Sequence, residues 1–210
     1  KAYAEKGRGF MQEIVTKYFQ LTAQALTENK DIKPDLVIWP ESAFPEYLNT
    51  GDWNRKYSSQ LRTFLQQSQI TLLTGAYSHV LDTSSHQQGL FPKFKDYNAL
   101  FLLAPPPQPT TSATTPAPTP TSSPSLSPSN MDALLQNPKQ LGLYHKTVLL
   151  VFGEHIPLLE YFPWLAKYNP AGEGFSRGKG PQVLDLPTSD AATDSFWKLG
   201  VQICYESLYP

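Results

Sequence analysis

The sequence predicts an α/β fold around a sheet that contains both parallel and antiparallel pairs. Two observations predict it. Strand-like runs alternate with helical stretches in the first part of the chain, and strand-like runs then follow one another directly. A chain of 210 residues is long enough for one domain with a sizeable core.

The elements follow in order. Residues 10–27 read as a helix, because Phe10, Ile14, Val15, Tyr18, Phe19, Leu21 and Leu26 recur at mostly helical spacing, and Asn29 and Lys30 end it. Pro34-Asp35 leads into Leu36-Val37-Ile38-Trp39, a short strand of buried type stopped by Pro40. A second helix is expected over about 54–67, with Leu61, Phe64 and Leu65 on one side. Further strands are expected over 70–77, 97–103, 142–150, 182–186 and 198–205. The Pro/Ser/Thr tract at 104–130 is too poor in apolar side chains to offset its ordering entropy, and it is expected to be a disordered insert at a hairpin tip. Its composition also fits an O-glycosylated stalk. Lengthening a surface loop costs only about 0.6 kcal/mol per doubling.

A formal net charge of −1 gives no electrostatic sign of a nucleic-acid partner. The single cysteine, Cys204, rules out an intrachain disulfide. The four histidines are dispersed without ligand-like spacing, so no metal site or cofactor is expected. No run approaches the roughly 20 apolar residues that span a bilayer. The chain stops at Pro210 just after a strand-like run, and the expectation is a soluble piece of a larger protein.

Three segments can carry chemistry. In Trp39-Pro40-Glu41-Ser42-Ala43 a carboxylate follows a strand and a proline, at the strand end where α/β sheets place ligands. By position alone, Glu41 better fits a solvated acid in a turn, since most glutamates are solvated. In Tyr144-His145-Lys146, continuing to Phe152-Gly153-Glu154, Lys146 is either an edge or polar-face lysine or a fixed charge able to stabilise an oxyanion. Glu154 could orient it. His145 points to the opposite side by strand alternation and is read as structural. In Gly200-Val201-Gln202-Ile203-Cys204-Tyr205-Glu206 an apolar strand ends in a cysteine. Such a cysteine is an inert core residue unless a nearby cation or base favours its thiolate. Lys146 could supply the cation and Glu41 the base.

The ordered set Glu41, Lys146, Cys204, each at or near a strand end, resembles the nitrilase (carbon–nitrogen hydrolase) superfamily, whose Glu–Lys–Cys triad sits on a four-layer α-β-β-α sandwich. The flanking residues are similar to the apolipoprotein N-acyltransferase family: Trp-Pro-Glu-Ser-Ala at 39–43, Tyr-His-Lys at 144–146, Phe-Gly-Glu at 152–154 with Ile156-Pro157, Gly172-Glu173-Gly174-Phe175 with Arg177-Gly178, and Ile-Cys-Tyr-Glu at 203–206. The likeness covers about 33–210 outside the insert. It departs at Val151, where the family usually has proline, and in the insert itself. It implies a partial catalytic domain over 1–210, truncated at both ends, from an enzyme of the bacterial inner membrane with this domain on the extracytoplasmic face.

The resemblance further implies transfer of an acyl chain from a phospholipid to the N-terminal amine of a diacylglyceryl-modified apolipoprotein through a Cys204 thioester. Glu41 would be the base, Lys146 the oxyanion partner, and Glu154, Tyr205 and Glu206 supporting residues. Phe44, Tyr47, Tyr161, Phe162 and Trp164 are candidates for lipid contact at a membrane surface, or else core aromatics. Two other readings share these residues: a soluble hydrolase of small amides or nitriles, and a truncated nitrilase-like module that binds without catalysis.

Overall fold

A computed structural model describes residues 2–28, 33–83, 94–106, 137–151, 153–155, 162, 164, 174–188 and 195–208, with side chains from residue 10 onward. The expected insert falls almost wholly outside the described residues, as do Tyr161 and Phe152. The order of elements is α1 (Ala2–Glu28), β1 (Val37–Ile38), α2 (Lys56–Ser68), β2 (Leu72–Leu81), β3 (Phe94–Ala104), β4 (Lys139–His145), β5 (Val183–Pro187), β6 (Phe196–Gly200) and a 3-10 helix over Cys204–Leu208.

The fold is α/β with a mixed sheet. Strands β1-β2-β3-β4 lie side by side in chain order. β1 pairs with β2 in parallel, while β2–β3 and β3–β4 are antiparallel. β5 and β6 form a separate antiparallel pair. Alternation along the strands divides the core in two. Leu72, Ala76, Ala99, Phe101 and Leu103 turn to one face and pack with Val15 of α1 and Leu61 and Leu65 of α2. Leu73, Leu100, Leu102 and Tyr144 turn to the other and pack with Leu184, Leu186, Val201 and Ile203. Of the four-layer sandwich that the resemblance implies, the described residues thus supply a helical layer, the sheet, and a strand pair on its far face.

Helix α1 is tied to the sheet through Trp39. The buried indole donates from Nε1 to Thr22 Oγ1 at 3.0 Å, and Tyr18 stacks on it at 5.4 Å. Helix α2 has no side-chain cap from Arg55. Glu46 takes that place, accepting from the Tyr57 and Ser58 N–H groups at 3.2 and 2.7 Å. An anion there suits the positive end of the helix, so Glu46 has a structural task.

Several expected boundaries move. β1 is only two residues long, and Ile38 is exposed rather than buried, because β1 is the edge of the described sheet. β4 ends at His145, so Lys146 stands just past the strand, and its N–H still bonds Asn98 O at 2.9 Å. β6 ends at Gly200, four residues before Cys204, which opens the 3-10 helix instead of closing a strand. Phe44 is fully buried among the residues that pack α1 and α2, which removes it as a lipid contact.

Candidate active site

Glu41 lies in a turn directly after β1, and the sequence allows that turn to sit tightly on β2. The Phe44 N–H bonds Gly75 O at 3.0 Å, and the Gly75 N–H bonds Pro40 O at 3.3 Å. A Cβ on Gly75 would fall 2.6 Å from Pro40 O and Ser42 N and 2.7 Å from Glu41 Cα. Only glycine lets the turn approach this closely. Ser42 adopts φ 54°, a left-handed conformation that costs a residue with a side chain roughly 1–2 kcal/mol.

Lys146 is 1% exposed. Its Nζ donates to Glu41 Oε1 at 3.0 Å and lies 3.0 and 2.9 Å from the two oxygens of Glu154. Burial alone would push the ammonium down. Hydrogen bonds and charge from Glu154 and Glu41 outweigh it, and Lys146 is held above the ordinary lysine value. Burial likewise pushes Glu154 up. The Lys146 ammonium, the Leu150 N–H and Asn98 outweigh that and hold it below the ordinary carboxyl value. Glu154 is placed by a tight turn in which the Gly153, Glu154 and His155 N–H groups all point to Leu150 O.

The segment 174–178 lies along this cluster. The N–H groups of Phe175, Ser176 and Gly178 donate to Glu154 O, Asp96 O and Lys146 O at 2.7, 2.7 and 2.8 Å. Phe175 also stacks on Tyr77 with ring centroids 5.6 Å apart.

Cys204 is exposed and has φ 52°, so the residue proposed as nucleophile stands in a strained backbone at the head of the 3-10 helix. Two residues on, buried Glu206 ties that helix to the end of β4. Its Oε1 accepts from the N–H and hydroxyl of Thr147, from Val148 N–H and from the Tyr144 hydroxyl, and its Oε2 accepts from Ile203 N–H. Burial pushes Glu206 up, and these donors more than reverse it, leaving the carboxyl below its ordinary value. Glu206 thus anchors the cysteine turn to the residue that follows Lys146.

The structure therefore brings Glu41, Lys146 and Glu154 into one cluster. The described contacts do not include a hydrogen bond from the Cys204 thiol to Glu41 or Lys146; the link they show runs through Glu206. Tyr205 is exposed beside Cys204. His145 bonds Ser78 Oγ at 2.9 Å and stacks on Tyr97 at 4.1 Å, on the opposite side from Lys146. Tyr47 is half-buried and meets His79 edge-on. Phe162 and Trp164 are 46% and 58% exposed, with their rings 6.4 Å apart.

One polar residue of the cluster carries no motif signal. Asn98 on β3 is buried and donates from Nδ2 to Glu41 Oε1 at 2.7 Å and to Glu154 Oε1 at 2.8 Å. Its trace in the sequence is a polar side chain two residues before Leu100, in the strand phase that otherwise faces the core.

No family model matches the chain. An apolipoprotein N-acyltransferase of Bdellovibrio bacteriovorus is 36% identical over 210 residues, which are all of this chain and 31% of that protein. One from Chlorobaculum tepidum is 25% identical over 207 residues, covering 95% of this chain and 32% of that protein. The chain thus spans about a third of the length of these curated relatives. Among solved structures, a glutamine-dependent NAD+ synthetase of Acinetobacter baumannii superposes with a TM-score of 0.43 at 16% identity, over 95% of this chain and 26% of that one.

Proposed function

We propose, from the premise that this chain is a relative of the apolipoprotein N-acyltransferases along its whole length, that it carries the Glu41–Lys146–Cys204 centre of an acyl transfer through a thioester. The observation that carries this reading is the buried Lys146 ammonium held between Glu41 and Glu154. A cation fixed by two carboxylates, one of them 31% open to solvent, supplies both an acid–base group and a charge for a developing oxyanion.

In the first half-reaction Glu41 takes the proton of the Cys204 thiol. The thiolate sulfur attacks an ester carbonyl of a phospholipid, forming a C–S bond and a tetrahedral oxyanion. Lys146 stays charged in this site and faces that oxygen; a donor of this kind contributes roughly 3–4 kcal/mol. The C–O bond then breaks, and the leaving lysophospholipid alkoxide takes the proton from Glu41. In the second half-reaction the N-terminal amine of a lipid-modified apolipoprotein attacks the thioester and gives its proton to Glu41. The C–N bond forms, the C–S bond breaks, and the thiolate recovers the proton. Splitting the transfer this way predicts ping-pong kinetics.

Both substrates are membrane-borne in this reading, which assigns the domain to the extracytoplasmic face of a bacterial inner membrane. No described helix is long and apolar enough to cross a membrane. The exposed pair Phe162 and Trp164 supports a lipid-facing role for that stretch, since such rings favour the membrane–water interface.

Full-length protein incubated with acyl-labelled phospholipid tests the reading. Label is expected on Cys204 in the wild type and absent in Cys204→Ala. Bound lipid with no labelled Cys204 in the wild type would sink the acyl-transfer mechanism. Turnover of small amides without lipid labelling would favour a soluble hydrolase instead.

A further inference from the structure

Asn98 joins the acid–base cluster without belonging to the Glu–Lys–Cys set. It is 3% exposed, and both of its described side-chain hydrogen bonds go to carboxylates, from Nδ2 to Glu41 Oε1 at 2.7 Å and to Glu154 Oε1 at 2.8 Å. Its Oδ1 is buried without a hydrogen-bond partner among the described residues. Buried amides normally satisfy both ends. Turning this one over would aim an acceptor oxygen at two carboxylate oxygens, so the carboxylates dictate its orientation. Among the described residues the acceptor goes unmatched, while two N–H bonds are directed at the glutamates. A local rule broken in this way marks a side chain that serves the site more than the core.

Among the described residues, the two side-chain donors that reach Glu41, Lys146 Nζ and Asn98 Nδ2, fall on the same oxygen, Oε1. Two donors, one from β3 and one from just past the end of β4, hold that oxygen of the carboxylate in place. Its second oxygen is left as the one that can receive a proton.

We propose that Asn98 is a positioning residue for the acid–base step: it clamps Oε1 of Glu41 and of Glu154 and leaves Glu41 Oε2 as the oxygen that takes the Cys204 proton. The identity of that step rests on the acyl-transfer reading; the clamp itself rests on the geometry. The charged groups around the amide are Glu41 from the turn after β1, Lys146 from the end of β4 and Glu154 from the turn at 150–155, with Glu206 bonded to the neighbouring Thr147.

The experiment uses full-length protein and two readouts. Thioester formation at Cys204 from labelled phospholipid, in the wild type, tests the acyl-transfer reading alone. The pH profile of Cys204 alkylation by iodoacetamide, read by peptide mapping, tests the clamp without lipid. It is measured for wild type, Asn98→Asp and Asn98→Leu.

In Asn98→Asp a third carboxyl faces two others at hydrogen-bond distance, and like charges so placed resist joint ionisation. The acid limb of the profile, which reports the coupled cluster, is expected to move up by about one pH unit or more, lowering reactivity about tenfold on that limb. Asn98→Leu removes the donor and is expected to move the limb in the same direction by less. If Asn98→Leu does not fold, the isosteric Asn98→Asp decides. A structural role would lower reactivity equally at every pH. An unmoved acid limb in folded Asn98→Asp overturns the clamp and leaves a positive thioester result standing. A moved limb with no thioester in the wild type upholds the clamp and removes the reaction assigned to it.

Discussion

Lys146 Nζ lies 3.0 Å from Glu41 Oε1 across 105 residues of sequence, with the lysine buried and the glutamate partly open. The open side of the pair belongs to the proposed base, and the shielded side to the fixed charge. A second carboxylate, Glu154, holds the lysine from behind at 2.9 Å.

Lys146→Ala leaves Glu41 and Glu154 close together without their cation. Breaking a buried pair of this kind costs about 3–5 kcal/mol. The variant is expected to melt well below wild type and to give no labelled Cys204. Lys146→Arg keeps the charge but replaces a compact ammonium with a planar fork. It is expected to recover part of the stability and none of the labelling, as thermal melts and thioester assays on the same samples would show.

Gly75→Ala adds one methyl group beneath the Glu41 turn, 2.6 Å from two backbone atoms. Overpacking costs roughly 1–3 kcal/mol. The turn must lift, and Glu41 with it, so labelling is expected to fall at least about tenfold, since misplacement of about 1 Å has cost 100-fold elsewhere. A variant of normal stability and full labelling would show that the turn tolerates displacement.

Glu206→Gln exchanges an acceptor-only carboxylate for an amide whose NH2 faces donors. The expected loss is about 2 kcal/mol or more. Because the folded carboxyl is held below its ordinary value, the unfolded chain takes up the proton first as pH falls. The contribution of Glu206 is therefore full above the ordinary carboxyl range and is lost as pH drops through the lower folded value. Stability of wild type and variant should converge in acid and separate toward neutrality, as denaturant titrations at several pH values would reveal.

Phe44 and Trp164 should behave in opposite ways. Phe44→Ala opens a cavity in the helix-side core and is expected to cost about 3–5 kcal/mol. Trp164→Ser and Phe162→Ser alter exposed rings and are expected to leave stability nearly unchanged while weakening binding of full-length protein to phospholipid vesicles. Unaltered lipid binding in the double variant would assign those rings another role.

The sequence made the α/β class and the Glu41–Lys146–Glu154 cluster legible for different reasons. Periodicity shows faces, and Leu61, Phe64 and Leu65 sit together on the core side of α2 as it predicts, while β2 and β3 form where strands are expected. The cluster was legible through resemblance, since a lone Glu or Lys says little about its surroundings. Asn98 escaped both, because one polar side chain in an apolar strand has no spacing partner. The strand before Cys204 is shorter than its apolar run predicts. Val201 and Ile203 are buried as strand residues would be, but the turn at Cys204 depends on a positive φ that no cysteine advertises. β1 has the apolar residues of a buried strand, but its exposure depends on which strand lies beside it.

The β3–β4 hairpin carries the long Pro/Ser/Thr insert at one end and the Asn98–Lys146 cluster with its carboxylates at the other. Ala104 pairs with Lys139 at the end where the chain departs and returns, and Ala99 pairs with His145 at the end where Asn98 and Lys146 stand. Six residue steps of strand run from Asn98 to Ala104, about 20 Å at the usual rise per residue. The junction is thus a natural port for engineering: a fluorophore, affinity tag or tether spliced there would report on the protein from a distance at which the carboxylates and their lysine would not sense it.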